Sequence, residues 1–221
     1  MTYLRFVPDQ DPGRPAQYDV DRQRDADIGD LRIEADLRDP TTPARVFDQV
    51  EAELGPVSVL VNNASGWMKD GFTGEPDWIG RATDWVTPAS FDSQFLVDAR
   101  GGALLIAELA RRFRGDWGRI ISLTSGGPMG FPGEASYGAA KAALENYTMT
   151  ASIELAPKGI TANVVYPPVT DTGWITDEVR AHVEQSTDHW HIAPPEDVAE
   201  VIAWLCTPAA DLVTGNVIRL R

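Results

Sequence analysis

Cysteine is nearly missing from this chain: Cys206 is the only one in 221 residues. An internal disulfide is therefore excluded, and a reducing compartment suits the sequence. Long apolar runs are missing as well. No stretch approaches the roughly eighteen apolar residues of a membrane span. The N-terminus reaches Asp9 and Pro12 without an apolar run long enough for a secretory signal. A cytoplasmic protein with no membrane partner is expected. Basic residues are few, 19 Lys and Arg against 33 Asp and Glu, a net charge of −14. Nucleic-acid binding relies on a basic footprint, so the balance argues against such a partner. The acidity favours solubility and selects no enzyme class. Only three histidines occur, and His189 and His191 have no Cys or carboxylate cluster to complete a metal site. No metal is expected.

What is present is ordinary in bulk: 43% hydrophobic and 24% charged residues, enough for one domain with a single sizeable core. Residues 1–30 are the irregular part. Thr2 to Val7 suits a short strand, and Pro8 to Asp30 is polar with almost no apolar period. From Leu31 the pattern becomes regular. Strands are expected at Leu31–Ala35, Val57–Val61, Arg119–Leu123, Ile160–Val165 and Gly215–Leu220. Helices are expected from Thr41 or Thr42 to Leu54, over Ser90–Arg114, Tyr137–Leu155 and Pro195–Leu205, with a short one inside the 172–194 segment. Val57–Val61 is a near-continuous apolar run, as in a strand covered on both faces. Strands alternating with helices predict an α/β fold, a Rossmann-like doubly wound parallel sheet. In such sheets the ligand lies beyond the carboxyl ends of the strands. Asp36, Asn62 to Ser65, Ser125 and Pro167 to Thr172 all follow a strand directly.

One stretch carries chemistry. The strand Arg119–Leu123 runs into Thr124-Ser125, and twelve residues after Ser125 Tyr137 leads a helix with Lys141 one turn on. An ammonium held that close favours the ionised phenol, which can then serve as general acid or base on an alcohol or carbonyl. Ser125 can hold the same oxygen by a hydrogen bond. Tyr four residues before Lys is also a common structural pattern on helices. The joint pattern resembles the short-chain dehydrogenase/reductase family, which uses Ser, Tyr and Lys in this order and at this spacing. The resemblance runs from roughly Leu31 to Leu220.

The resemblance implies an NAD(P)-dependent oxidoreductase interconverting a secondary alcohol and a ketone, of the 3-oxoacyl reductase kind. Catalysis falls to Ser125, Tyr137 and Lys141, with Asp98 at a place where the family usually has Asn. NAD or NADP contacts fall on Asp36 and Leu37, on Asn63, Ala64 and Ser65, on Tyr137 and Lys141, and on Pro167, Val169, Thr170 and Thr172. Asp36 matches the family's adenine contact, although a carboxylate leading a helix near its positive end is an equal alternative. Relatives pair through their two long helices, implying a homo-dimer or homo-tetramer.

Four departures stand against the pattern. Ser65 replaces a Gly, Pro168 replaces a Gly and removes an N–H, and Asp98 replaces the Asn. The charge of Asp98 is expected to pair with Lys141 or to disturb proton transfer; a solvated or Arg100-paired carboxylate is the alternative. The fourth departure is the glycine-rich strand–helix unit that binds pyrophosphate in the family: nothing between Met1 and Asp30 resembles it, so the fold is expected to be N-terminally shortened. The rival readings are a cofactor-poor relative serving as a binding or assembly module, and a shortened form of an ordinary member. Trp67, Trp78, Trp85, Trp174 and Trp190 lie in connections around the expected site and suit an apolar or aromatic small molecule. They equally suit closing the core beneath long loops.

Overall fold

The computed structural model describes residues 2–3, 31–77, 80–126, 130–187, 189 and 191–221. The expectations for residues 4–30, including the shortened N-terminus, and those for Trp78, Gly127 and Trp190 lie outside the described residues.

Three parallel sheets are present among the described residues. Strand β1 (Thr2–Tyr3) pairs with β2 (Ile33–Glu34). Helix α1 (Thr42–Leu54) then leads to β3 (Val59–Asn62). The main sheet has four strands in the order β3, β6 (Gly118–Leu123), β7 (Ile160–Tyr166) and β8 (Val217–Arg219). Between β3 and β6 lie β4 (Asp70–Gly71) and β5 (Asp84–Trp85), which pair with each other. They are followed by α2 (Pro88–Gln94), a π-helical stretch (Phe95–Gly101) and α3 (Gly102–Arg112). Helix α4 (Ala135–Glu154) connects β6 to β7, and α5 (Asp177–Gln185) and α6 (Pro195–Leu205) precede β8.

The main sheet is covered on both faces, and strand alternation shows it. Ile120 packs with Phe47 of α1, Ile106 and Leu109 of α3, and Ala151 of α4. Its neighbour Ile121 points the other way, into Val198 and Leu205 of α6. That is why β6 and β7 read as unbroken apolar runs. Truncating Leu109 to Ala, at the centre of the first cluster, costs about 2–5 kcal/mol.

Several sequence expectations need correction. Strand β3 is not buried on both faces: Val59 and Leu60 are half-buried and Val61 is 40% exposed. Among the described residues β3 pairs only with β6. Thr41 bounds α1 but does not cap it, because its hydroxyl donates to Asp39. The helix foreseen from Ser90 begins at Pro88, with Thr87 and Ser90 forming a reciprocal cap. It is also not one continuous α-helix, since Phe95–Gly101 winds as π-helix. Strands β4 and β5 were not foreseen, being two residues each within a polar, aperiodic segment.

Candidate active site

The carboxyl ends of the main-sheet strands bring the expected groups to one edge. Beyond β6, Thr124 is held by its N–H donating to the Val165 carbonyl, and Ser125 follows half-buried. Gly126 then turns with φ +96°, a region that favours glycine, and its carbonyl accepts the hydroxyl of Tyr166. Helix α4 starts nine residues later and carries Tyr137 half-buried and Lys141 buried. The Lys141 ammonium lies 5.6 Å from the centre of the Tyr137 ring, and the Phe131 ring lies 5.9 Å from it on centroids.

Asp98 completes the group. Its Oδ1 lies 2.9 Å from Lys141 Nζ, with the two side chains 0% and 4% exposed. Its Oδ2 accepts the Gly66 N–H at 2.8 Å and the Ser65 hydroxyl at 3.2 Å. A buried ammonium needs a compensating charge, and this carboxylate supplies it through Oδ1 while Ser65 and Gly66 hold its other oxygen. The alternative of a solvated or Arg100-paired Asp98 is thereby corrected; Arg100 instead donates to the Arg38 carbonyl. Two of the departures noted in the sequence, Ser65 and Asp98, turn out to be bonded to each other. Gly66 is required here, since a Cβ on it would sit on the Ser93 carbonyl of α2.

The remaining expected residues are placed as follows. Asn63, Ala64 and Ser65 are exposed on the turn beyond β3, leaving backbone open to a ligand. Asn62 is buried and donates to Ser122. Asp36 pairs with Arg38. The Arg38 guanidinium grips its carboxylate through both oxygens and holds it below the usual carboxylate range. The Leu37 side chain is buried against Gly101. Past β7, Pro167, Val169 and Thr170 are half-buried and Thr172 is exposed. That turn is tied down by Val169 and Asp171, which bond both sides of Ala193, and by the Trp174 indole donating to the Thr170 carbonyl at 2.9 Å. Trp67 and Trp174 are half-buried, whereas Trp85 is 61% exposed.

Sequence reading missed a polar cluster beside Tyr137. Asp77, nearly sealed from solvent, pairs with Arg81 at 2.6 Å and Lys69 at 4.0 Å. Arg81 also reaches Glu134 at 3.4 Å, just before α4. Burial pushes the Glu134 carboxyl up, although Trp67 bonds it and Arg81 pulls it down. Burial lowers Lys69, with the Arg81 charge acting in the same direction. No cluster of metal ligands occurs among the described residues. Among them, no helix is long and apolar enough to cross a membrane.

The exposed turn at Asn63–Ser65, the buried Lys141 and the open edge beyond β6 and β7 fit the ribose and nicotinamide part of a dinucleotide. No pyrophosphate-binding turn can be assigned among the described residues. A family model described as enoyl-(acyl carrier protein) reductase matches residues 12–220. An uncharacterised oxidoreductase of Bacillus subtilis, YjdA, is 36% identical over 195 residues, 85% of this chain and 73% of that one. Acetoacetyl-CoA reductase of Cupriavidus necator is 31% identical over 208 residues, 89% of this chain and 77% of that one. Among solved structures, a dehydrogenase/reductase of Sinorhizobium meliloti aligns with a TM-score of 0.76 at 29% identity, covering 99% and 81% of the two chains. The angucycline C-6 ketoreductase LanV with bound NADP aligns with a TM-score of 0.71 at 30% identity, covering 86% and 73%. With its fold, its edge-of-sheet Tyr and Lys, and these likenesses together, the chain belongs to the short-chain dehydrogenase/reductase family of NAD(P)-dependent oxidoreductases.

Proposed function

We propose that this protein interconverts a ketone and a secondary alcohol with NADH or NADPH, using Ser125, Tyr137, Lys141 and Asp98. The observation that carries the reading is the buried Asp98–Lys141 pair at 2.9 Å beside the half-exposed Tyr137 ring. A buried charge of this kind is costly, and placing it against a phenol at the open edge of the sheet gives it a use.

The bound nicotinamide supplies the hydride in reduction. The Tyr137 hydroxyl gives its proton to the carbonyl oxygen, and in oxidation the phenolate takes the alcohol proton back. The Ser125 hydroxyl donates a hydrogen bond to the same oxygen and fixes its position. The Lys141 ammonium stabilises the negative charge left on Tyr137 when its proton departs. Asp98 holds that ammonium in place, and through Ser65 and Gly66 it holds the turn that would receive the cofactor ribose. Asn63, Ala64, Pro167, Val169, Thr170 and Thr172 complete the cofactor edge, and Asp36 with Arg38 faces the adenine end. The half-buried Trp67, Phe131 and Trp174 give the substrate side apolar, ring-sized walls. The relatives named as acetoacetyl-CoA reductase and angucycline C-6 ketoreductase support a carbonyl substrate.

Two copies are expected to pack through the outer faces of α3 and α4. There Ala103, Ala107, Tyr147 and Thr150 line a groove whose floor reaches the buried Ile106 and Ala151. Sedimentation giving only monomer would count against this.

The decisive experiment is calorimetric titration with NADH and NADPH, followed by turnover of acetoacetyl thioesters and cyclic aromatic ketones. Micromolar binding and turnover that vanishes in Tyr137→Phe is the expected result. A folded chain that binds neither cofactor would replace this reading with a binding or assembly role.

A further inference from the structure

Asp70 is buried with 0% of its surface exposed, yet it belongs to none of the groups discussed so far. Its two oxygens go to two different helices. Oδ1 accepts the backbone N–H of Ser136 at 2.8 Å, in the first turn of α4. Oδ2 accepts the Ser90 hydroxyl at 2.7 Å, in the first turn of α2. The backbone of Asp70 also forms a parallel bridge to Glu134, the residue preceding α4.

Helix α4 has no cap of its own: Glu134 makes no side-chain bond to it, and its first turn holds no acidic residue. The first four N–H groups of a helix need partners, and a negative charge is favoured there. Asp70 provides both from 66 residues upstream. Helix α2, by contrast, already has a complete reciprocal cap from Thr87 and Ser90. Its need for Asp70 is therefore small, and what Asp70 adds is a link between the two helix starts.

We propose that Asp70 is a positioning residue for Tyr137. The proposal rests on the reading of Tyr137 as the proton donor. Helix α2 continues through the π-helical stretch to Asp98, and α4 carries Tyr137 and Lys141. The Asp98–Lys141 pair joins the two elements once. From Lys141 onward α4 is held by the buried Leu144, Thr148 and Ala151, whereas its first turn, ahead of that pair, needs a hold of its own. The Ser90–Asp70–Ser136 link is a second tie, and Tyr137 lies between the two points on α4 where the ties attach, Ser136 and Lys141. Two ties fix both the depth and the rotation of the phenol against Ser125. Displacing a reacting group by about 1 Å costs on the order of 10²-fold in rate, so the second tie governs turnover rather than cofactor affinity.

The test uses the full chain and the variant Asp70→Ala, with Asp70→Asn as its conservative partner. The Asn retains one oxygen for the Ser136 N–H and loses the charge. In Asp70→Ala, kcat should fall about 10- to 100-fold. The NADPH dissociation constant and the ketone KM should stay within about twofold, a split that simple loss of folded protein does not produce. Asp70→Asn should lie between wild type and Asp70→Ala, at least threefold below wild type. Independently of activity, hydrogen exchange should quicken at the Ser136 and Tyr137 amides in Asp70→Ala while Leu144 and Thr148 stay protected. A kcat within twofold of wild type, or unchanged exchange at the start of α4, overturns the proposal. Should Asp70→Ala fail to fold, Asp70→Asn decides alone, and an unchanged kcat in it overturns the proposal. If the wild type itself turns over no ketone, the proton-donor reading fails. The exchange result then judges the tie by itself: quickening confined to the first turn of α4 upholds it, and no change overturns it.

Discussion

At the start of β6, Arg119 lies 2% exposed and is paired with Asp211, whose side chain is 53% exposed. Beyond the other end of the same strand, Lys141 lies against Asp98 with both side chains sealed from solvent. Arg119 spreads its charge: it also donates to the carbonyls of Gly118 and Thr207, and it sits 4.3 Å from the centre of the Trp117 ring. Lys141 concentrates its charge on one carboxylate and one phenol ring. The first arrangement fastens the C-terminal segment to the sheet and tolerates loss of a partner. The second keeps an ammonium dry beside the Tyr137 phenol and depends on a single counter-charge. Similar ingredients at the two ends of one strand thus serve anchoring at one end and, on the proposed reading, chemistry at the other.

Substitutions can break or sharpen that contrast. The largest effect is expected from Tyr137→Phe, which leaves both cations as they are. Turnover should fall about 10²- to 10⁴-fold in steady-state kinetics while thermal unfolding barely moves. Comparable losses of activity and stability would erase the distinction between the two ends. Next comes Asp98→Ala, which strands a buried ammonium and should cost about 3–5 kcal/mol in denaturant unfolding. Asp211→Ala should cost less, about 1–2 kcal/mol, because the guanidinium keeps two carbonyls and an aromatic face. If Asp211→Ala proved as damaging as Asp98→Ala, the claim that Arg119 is spread over many partners would be wrong.

The smallest effect concerns Glu134, between the polar cluster and α4. Burial raises its folded-state pKa above the usual 4.5. The folded protein therefore holds this proton after the unfolded chain has released it. Stability from this group is present below about pH 4.5 and declines as pH rises through the folded value. Glu134→Gln should thus melt higher than wild type at neutral pH, with the gap closing on acidification. A gap that widens in acid would mean that Arg81 and Trp67 outweigh burial.

Much of the frame was legible in the sequence because the covering helices leave an apolar signature on β6 and β7. The Tyr–Lys spacing is fixed by helical geometry, so Tyr137 and Lys141 were recoverable from their numbers alone. Ser65 and Asp98 could each be seen as unusual, but no pattern joins residues 33 apart in sequence across a turn and a helix. Asp70 left no trace at all: it sits in an aperiodic stretch, and its significance arises only when two helix starts converge on it. In the sequence Arg119 reads as the start of a buried strand, which it is, while its staple to Asp211 depends on a contact 92 residues away.

The π-helical stretch Phe95–Gly101 has a bearing on how this chain tolerates change in length. Such a stretch accommodates one residue more than a regular helix would over the same span, and it often marks functional sites. Asp98 lies inside it. Each residue of a helix turns the next by about 100°. Loss of a single codon within 95–97 would let the helix relax into uniform α geometry, restoring the register of the flanking turns while moving Asp98 itself off its position against Lys141. The same loss in the loop after Arg112 would shift no side chain of the site. Lineages carrying this site should therefore vary freely in length after α3 and not at all across these seven positions.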